Sequence, residues 1–248
     1  MKRVKMIVAY DGTNYSGWQF QNNAITIEQK LNEALTDLLG EEITVTGASR
    51  TDAGVHSLGN VCIFDTGTRI PAEKISYALN ARLPEDIVVQ DSCEVDMDFH
   101  PRFSKSRKTY EYRVLNRKFP MPTVRRDTYF YHYPLDVEKM QQAASFLIGE
   151  HDFKSLCSVN TQAETTVRTI YSCTVEKEGE IIKIRVQGNG FLYNIVRIIA
   201  GTLIEVGAGK REPEEMPVIL EKCDRCVAGP TAPAHGLTMI GIDYEPYQ

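Results

Sequence analysis

The strongest constraint on how this chain folds is the order in which its hydrophobic periodicity switches over the first 95 residues. Lys2 to Tyr10 alternates and is rich in β-formers, so it reads as a strand. After a turn opened by Asp11-Gly12, Thr26 is a good N-cap, and Gln29 three residues later completes a capping-box pattern. Ile27, Leu31, Ala34, Leu35 and Leu38 follow at helical spacing up to Gly40. Ile43 to Ala48 and Asn60 to Asp65 are strand-like and flank a polar, glycine-containing loop. A helix begins at Pro71 and ends near Pro84, and Asp86 to Val95 is a further strand. The result is β-α-β-β-α-β, the ferredoxin-like order.

The second half repeats the theme loosely. Lys108 to Leu115 and Thr128 to Tyr133 read as strands, Asp136 to Ile148 as a helix, and Arg168 to Glu176 with Ile181 to Gln187 as a hairpin around Glu178-Gly179. Phe191 to Val206 is a strongly apolar helix, a second helix runs from about Pro213 to Asp224, and Leu237 to Tyr244 is a closing strand. We expect an α+β fold of two related halves with mainly antiparallel sheets, over residues 1–105 and 106–248.

Composition narrows the chemistry. The 248 residues are 42% hydrophobic and 25% charged, and no apolar run has membrane-spanning length. The charged start at Met1-Lys2-Arg3 is interrupted by Asp11 and Gly12 before a leader-length apolar core forms, so a cytoplasmic protein is expected. Six cysteines without an export signal suggest free buried thiols. Cys223 and Cys226 form a lone CxxC with no second ligand pair for zinc. A nucleobase deaminase would need an H-x-E motif, which is absent. Gly207-Ala208-Gly209-Lys210 fails as a phosphate loop, because Arg211 stands where a Ser or Thr would bind magnesium.

Charge is segregated. The formal net charge is −5, but His100 to Arg126 holds nine cations against one acid, Glu111. That stretch therefore carries +8 and the remainder −13. Such a distribution focuses positive potential on one region, as an RNA-binding protein does; a solvated basic hairpin is the plainer reading.

One loop carries possible catalysis: Ala48-Ser49-Arg50-Thr51-Asp52-Ala53-Gly54-Val55-His56-Ser57, placed after a strand. Asp52 lies among small residues, with Arg50 two residues away and His56 four; a nearby cation would keep its carboxylate ionised. On loop chemistry alone, an Asx-turn aspartate with a charged neighbour is the plainer reading.

Arg50 to His56 resembles the catalytic loop of the tRNA pseudouridine synthase A family. Tyr10 to Gln19 resembles that family's opening turn, and Phe99 to Ser104 with Lys108 to Tyr112 its central segment. Gly188 to Arg197 resembles its late helix, continued by Gly201 to Gly209. The blocks occur in order and span nearly the whole chain. Ser49 stands where the family more often has glycine, Ser57 where it has alanine or glycine, and His100-Pro101 where Asn-Ala is common.

The resemblance implies an isomerase that converts uridine to pseudouridine in tRNA, without metal or other cofactor, in a cleft between the two halves. It makes Asp52 the catalytic carboxylate, Arg197 its partner, and Tyr110 the ring that stacks on the target base. Arg50 would stabilise the space vacated by the flipped base. The basic stretch, including Arg102, Lys105, Arg107 and Lys108, would contact phosphates. A homodimer acting on three neighbouring uridines at the 3′ side of the anticodon arm is also implied. A non-catalytic RNA binder and an N-glycosidic hydrolase are the competing readings.

Overall fold

The structure is a computed structural model that describes residues 1–159 and 163–245. It comprises two compact units, Met1–Ser106 with the terminal segment from Met239, and Arg107–Thr238. Both are α+β with mainly antiparallel strands, as the periodicities suggest.

In the first unit, β1 (Lys2–Tyr10), α1 (Ile27–Leu39), β2 (Thr46–Gly47), β3 (His56–Thr66), α2 (Ala72–Asn80) and β4 (Ile87–Val95) follow in order. The strands pair β4–β1–β3, with β2 on β3, the arrangement expected of a ferredoxin-like unit. The register places Val4 opposite Phe64 on β3 and Glu94 on β4. Alternation along β1 sends Val4, Met6 and Val8 to one face, where they meet Leu31 and Leu35 of α1 and Ile75 and Leu79 of α2 in one apolar cluster. Each such fully buried aliphatic side chain is worth about 1.5–3 kcal/mol. The closing strand β10 (Leu237–Tyr244), which the sequence reading put with the second half, pairs with β3.

Two local expectations are corrected. Thr26 caps α1 by accepting from the Gln29 N–H at 3.3 Å, but Gln29 turns its amide to Glu33 at 2.8 Å, so the reciprocal half of the capping box is not made. The strand expected over Ile43 to Ala48 shrinks to two residues. The N–H groups of Ile43 and Val45 are taken by Thr36 Oγ1 and Asn32 Oδ1 of α1 rather than by a neighbouring strand.

The second unit contains β5 (Ser106–Asn116), β6 (Tyr129–Tyr131), α3 (Val137–Ser145), β7 (Gly149–Asp152), β8 (Val167–Glu178), β9 (Ile181–Gly188), α4 (Ile195–Gly207) and α5 (Glu215–Lys222). The order is β5–β9–β8–β7, all antiparallel, while β6 lies parallel on β5. The short β7 was not foreseen. Helix α4 starts later than its apolar run, because Asn194 adopts a left-handed conformation (φ 63°). Segment 228–232 packs directly on the α4 backbone: a Cβ on Gly201 would sit 1.8 Å from the Pro230 carbonyl oxygen. The Gly207 to Lys210 segment is the end of this helix, with Gly209 at φ 70°, and not a phosphate loop. Among the described residues, no helix is long and apolar enough to cross a membrane.

The cysteines fit the expectation of buried thiols only in part. Cys62, Cys157 and Cys173 are buried, but Cys93 and Cys223 are half-buried and Cys226 is exposed. Burial pushes the Cys173 thiol up to about 12 and Cys62 higher still, which makes both inert.

Candidate active site

The loop that carries Asp52 runs between β2 and β3, and the opening turn of the chain fastens it from below. Thr51 is clamped twice: its carbonyl accepts the Trp18 N–H at 3.1 Å, and its hydroxyl meets the Tyr10 hydroxyl at 2.8 Å in a buried contact. Gly54 donates its N–H to the Tyr15 carbonyl at 3.3 Å. Asn60, inside β3, donates to the Ser49 carbonyl at 3.0 Å. Residues 52–55 form a turn closed by the Val55 N–H on the Asp52 carbonyl at 3.1 Å, with Gly54 at φ 78°. A type II turn takes glycine at that third position. Asp52 is half-buried at the head of this turn.

This packing explains the small residues of the opening block. A Cβ on Gly12 would stand 2.0 Å from the Val55 carbonyl oxygen, and one on Gly17 2.4 Å from the Thr51 carbonyl oxygen, where φ is also 89°. Gly47 similarly admits the Trp18 indole, with a Cβ position only 2.3 Å from Nε1. Tyr10, Gly12, Gly17 and Trp18 were seen in the sequence only as a matching block; their task is to seat the Asp52 loop.

The His56 Nδ1 accepts the Gly12 N–H at 3.1 Å, which ties the ring to the opening turn. The Asp11 Oδ1 is also 3.1 Å from Nδ1, but that oxygen already takes the Thr13 N–H at 3.0 Å and hydroxyl at 2.5 Å as the cap of a 3₁₀ turn. Both contacts fall on the one nitrogen. His56 thus anchors the loop to the opening turn.

Arginines supply cationic character here. Arg50 is exposed. Arg102 is brought beside it by a hydrogen bond from Nη2 to the Gly47 carbonyl at 3.1 Å. Burial lowers the Arg102 pKa, and the positive charge of Arg50 lowers it further, so the two guanidinium groups feel each other at the base of the loop. This pairing of charges is a ready site for a polyanion.

In the second unit, Tyr110 on β5 is 7% exposed and packs edge-on against Phe191, centroids 5.0 Å apart and planes at 80°. Phe191 is a partner that periodicity had placed only at the head of an apolar helix. Arg197, on the first turns of α4, is half-buried rather than projecting into water. Its Nε donates to the Ala232 carbonyl at 2.8 Å and its Nη1 to Asn194 Oδ1 at 2.9 Å. The close approach of segment 228–232 to α4 is what supplies that carbonyl.

The basic stretch is less bare than its composition suggests. Arg113 pairs with Asp127 and Arg117 with Glu180 at 2.8 Å. Lys105 lies 3.6 Å from Glu245, Arg185 reaches Glu111, and Arg107 lies over the Tyr171 ring. Three acids from outside the stretch, Asp127, Glu180 and Glu245, thus offset part of its charge, while its own Glu111 is taken by Arg185. Lys108 lies on β5, partly buried. Among the described residues, no group of three or more His, Cys, Asp or Glu is placed to hold a metal ion.

Comparison with known proteins gives a family. The model of a tRNA pseudouridine synthase family matches residues 6–104 and 143–245. A tRNA pseudouridine synthase A of Thermoanaerobacter sp. (strain X514) is 50% identical over 244 residues, covering 98% of this chain and 100% of that protein. Those of Acetivibrio thermocellus and Brevibacillus brevis are 49% and 50% identical, again over 98% of this chain and their whole length. Among solved structures, an archaeal box H/ACA sRNP Nop10-Cbf5 complex aligns with 98% of this chain and 49% of that one, at 12% identity and a TM-score of 0.36, a likeness too distant to carry an argument. With the family model and full-length relatives agreeing, the chain belongs to the tRNA pseudouridine synthase A family.

Proposed function

We propose that this member of the family isomerises uridine to pseudouridine in the anticodon arm of tRNA, with Asp52 as the catalytic carboxylate. The observation that carries the reading is the seating of Asp52: a half-buried carboxylate at the head of a turn that the Tyr10, Gly12, Tyr15 and Trp18 contacts hold rigid. Rigid placement is what a reacting group needs and a surface aspartate does not.

The reaction breaks the bond from uracil N1 to ribose C1′ and makes one from C5 to C1′. The C5 proton is lost and N1 gains one, so no atom or electron is exchanged overall. A carboxylate serves this by stabilising positive character at C1′, by attack, or by taking a proton. We assign Tyr110 to the face of the target base, Arg197 to the aspartate's partner role and Arg50 to the space left by the flipped nucleotide. Each assignment rests on the family resemblance, supported by the packing of Tyr110 on Phe191 and the exposure of Arg50. Arg102, Lys105, Arg107 and Lys108 are the proposed phosphate contacts, which bind RNA by shape and charge. A homodimer working in the cytoplasm completes the proposal.

The test is Asp52→Asn, assayed by nucleoside chromatography of digested tRNA transcripts under single-turnover conditions. Turnover falls by at least about 10²–10⁴-fold while tRNA binding persists. Pseudouridine formation at near wild-type rate would end the assignment. Release of free uracil by the wild type would favour a hydrolase instead.

A further inference from the structure

The segment between β4 and β5 contains a pair of rings that nothing in the proposed mechanism uses. Phe103 is 79% exposed, and the His100 imidazole stacks on it with centroids 4.3 Å apart and planes at 28°. A lone exposed aromatic is common on protein surfaces and carries no meaning. This one is built in. The Phe103 and Ser104 N–H groups both donate to the His100 carbonyl, at 3.2 and 2.9 Å. The Ser104 hydroxyl accepts the His100 N–H at 3.2 Å, and His100 Nδ1 accepts the Arg102 N–H at 3.1 Å. The five residues therefore form a closed turn whose ring pair has little freedom left to lose.

The turn is anchored from its inner side. Pro101 is buried, and its carbonyl accepts the Tyr244 hydroxyl at 2.7 Å; Phe99 packs edge-on against the Tyr244 ring at 5.0 Å. The charge around it has a definite sign. Arg102 sits between the two stacked residues in sequence and reaches the Gly47 carbonyl beside Arg50. Lys105 follows, widely exposed, with Glu245 3.6 Å from its ammonium. The acid on the other side, Asp98, already faces Arg3.

We propose that the His100–Phe103 pair is a stacking platform for an unpaired nucleobase of the tRNA substrate. It rests on the function proposed above, which supplies an RNA with unpaired loop bases. A flat aromatic face held rigid beside cations is the arrangement that binds single-stranded bases without reading their sequence. The chemistry excludes a purely apolar partner, because Arg50, Arg102 and Lys105 would be desolvated against it without compensation.

The experiment uses the full chain and tRNA transcripts carrying 2-aminopurine at single positions across the anticodon loop. With wild-type protein, one position is quenched on binding. Phe103→Ala abolishes that quenching and weakens tRNA affinity about 5- to 150-fold, while the single-turnover rate at saturating enzyme stays within about twofold. Phe103→Trp keeps both, and His100→Asn gives an intermediate loss. Because Phe103 is exposed, its melting temperature does not change. Retention of quenching and affinity by Phe103→Ala, in a preparation whose wild type makes pseudouridine, would overturn the platform and leave the enzyme standing. A Phe103→Ala protein that changes its association state in sedimentation while keeping the quenching would overturn it in favour of a contact between copies. A wild type that quenches but forms no pseudouridine would defeat the enzymatic reading and support the platform.

Discussion

The contact between the Tyr10 and Thr51 hydroxyls is the sharpest test of how this fold holds its carboxylate. Both residues are buried, at 5% and 8% exposure, and the oxygens are 2.8 Å apart. Thr51→Val keeps the branched shape of the side chain and removes the hydroxyl; Tyr10→Phe removes the other. Each single change leaves its partner short of this bond away from water, at a cost of about 1–3 kcal/mol. In a chain of this size, 1 kcal/mol corresponds to a fall of about 2–4 °C in the melting temperature. The double substitution removes both polar atoms together, so it costs less than the sum of the singles, by a coupling of about 1 kcal/mol. Function amplifies the effect, because Asp52 is the next residue. A displacement of about 1 Å lowers turnover by about 10²-fold, whereas tRNA affinity, which does not depend on these hydroxyls, holds. The assays are urea unfolding of the four proteins in the cycle and single-turnover pseudouridine formation. Strict additivity in stability would show that the hydroxyls do not interact. A Thr51→Val protein with wild-type turnover would show that the clamp does not position Asp52.

Two further outcomes follow from the same geometry. Gly12→Ala forces its new methyl against the Val55 carbonyl, 2.0 Å away, and since both atoms belong to or adjoin the backbone the loop itself must shift. A cost of about 1–3 kcal/mol is expected, with a larger fractional loss of turnover than of tRNA affinity; an unaffected rate with a normal melting curve would contradict the close packing. Asp65 is held below the ordinary carboxylate range by its two hydrogen bonds from Arg3, each 2.8 Å. A lowered folded-state value means that its stabilisation is present above about pH 4 and is lost as pH falls through that lower value. With Asp65 about a third exposed, Asp65→Asn costs only about 0–1 kcal/mol at pH 7 and less as the pH falls into the acid range, as unfolding across that range will reveal. A difference that widened in acid would have the wrong sign.

Much of the architecture was legible in the chain because its signals are local. The alternation of Val4, Met6 and Val8, the helical spacing of Leu31 and Leu35, and the Thr26 and Gly40 boundaries each depend on residues within a turn or two of one another. The Asp52 loop was equally legible, since its glycine, its small neighbours and its place after a strand are contiguous. Boundaries failed where a partner from elsewhere took over the backbone. Thr36 and Asn32 of α1 capture the N–H groups that would have extended β2, and the left-handed Asn194 delays α4.

What only the tertiary structure decided is the direction of side chains and the identity of distant partners. The sequence showed His56 only as a neighbour of Asp52; the backbone of Gly12, 44 residues earlier, is what holds its Nδ1. The apolar stripe of α4 left Arg197 facing either solvent or a cleft; the carbonyl of Ala232, 35 residues later, holds its Nε. The count of +8 over His100 to Arg126 was correct as arithmetic but not as a field, because Asp127 and Glu180 fold back onto Arg113 and Arg117. Periodicity is a property of neighbours along the chain and can be read there. The pairing of a charge, or the choice of one nitrogen on a ring, depends on atoms that only the folded backbone brings within 3 or 4 Å of each other.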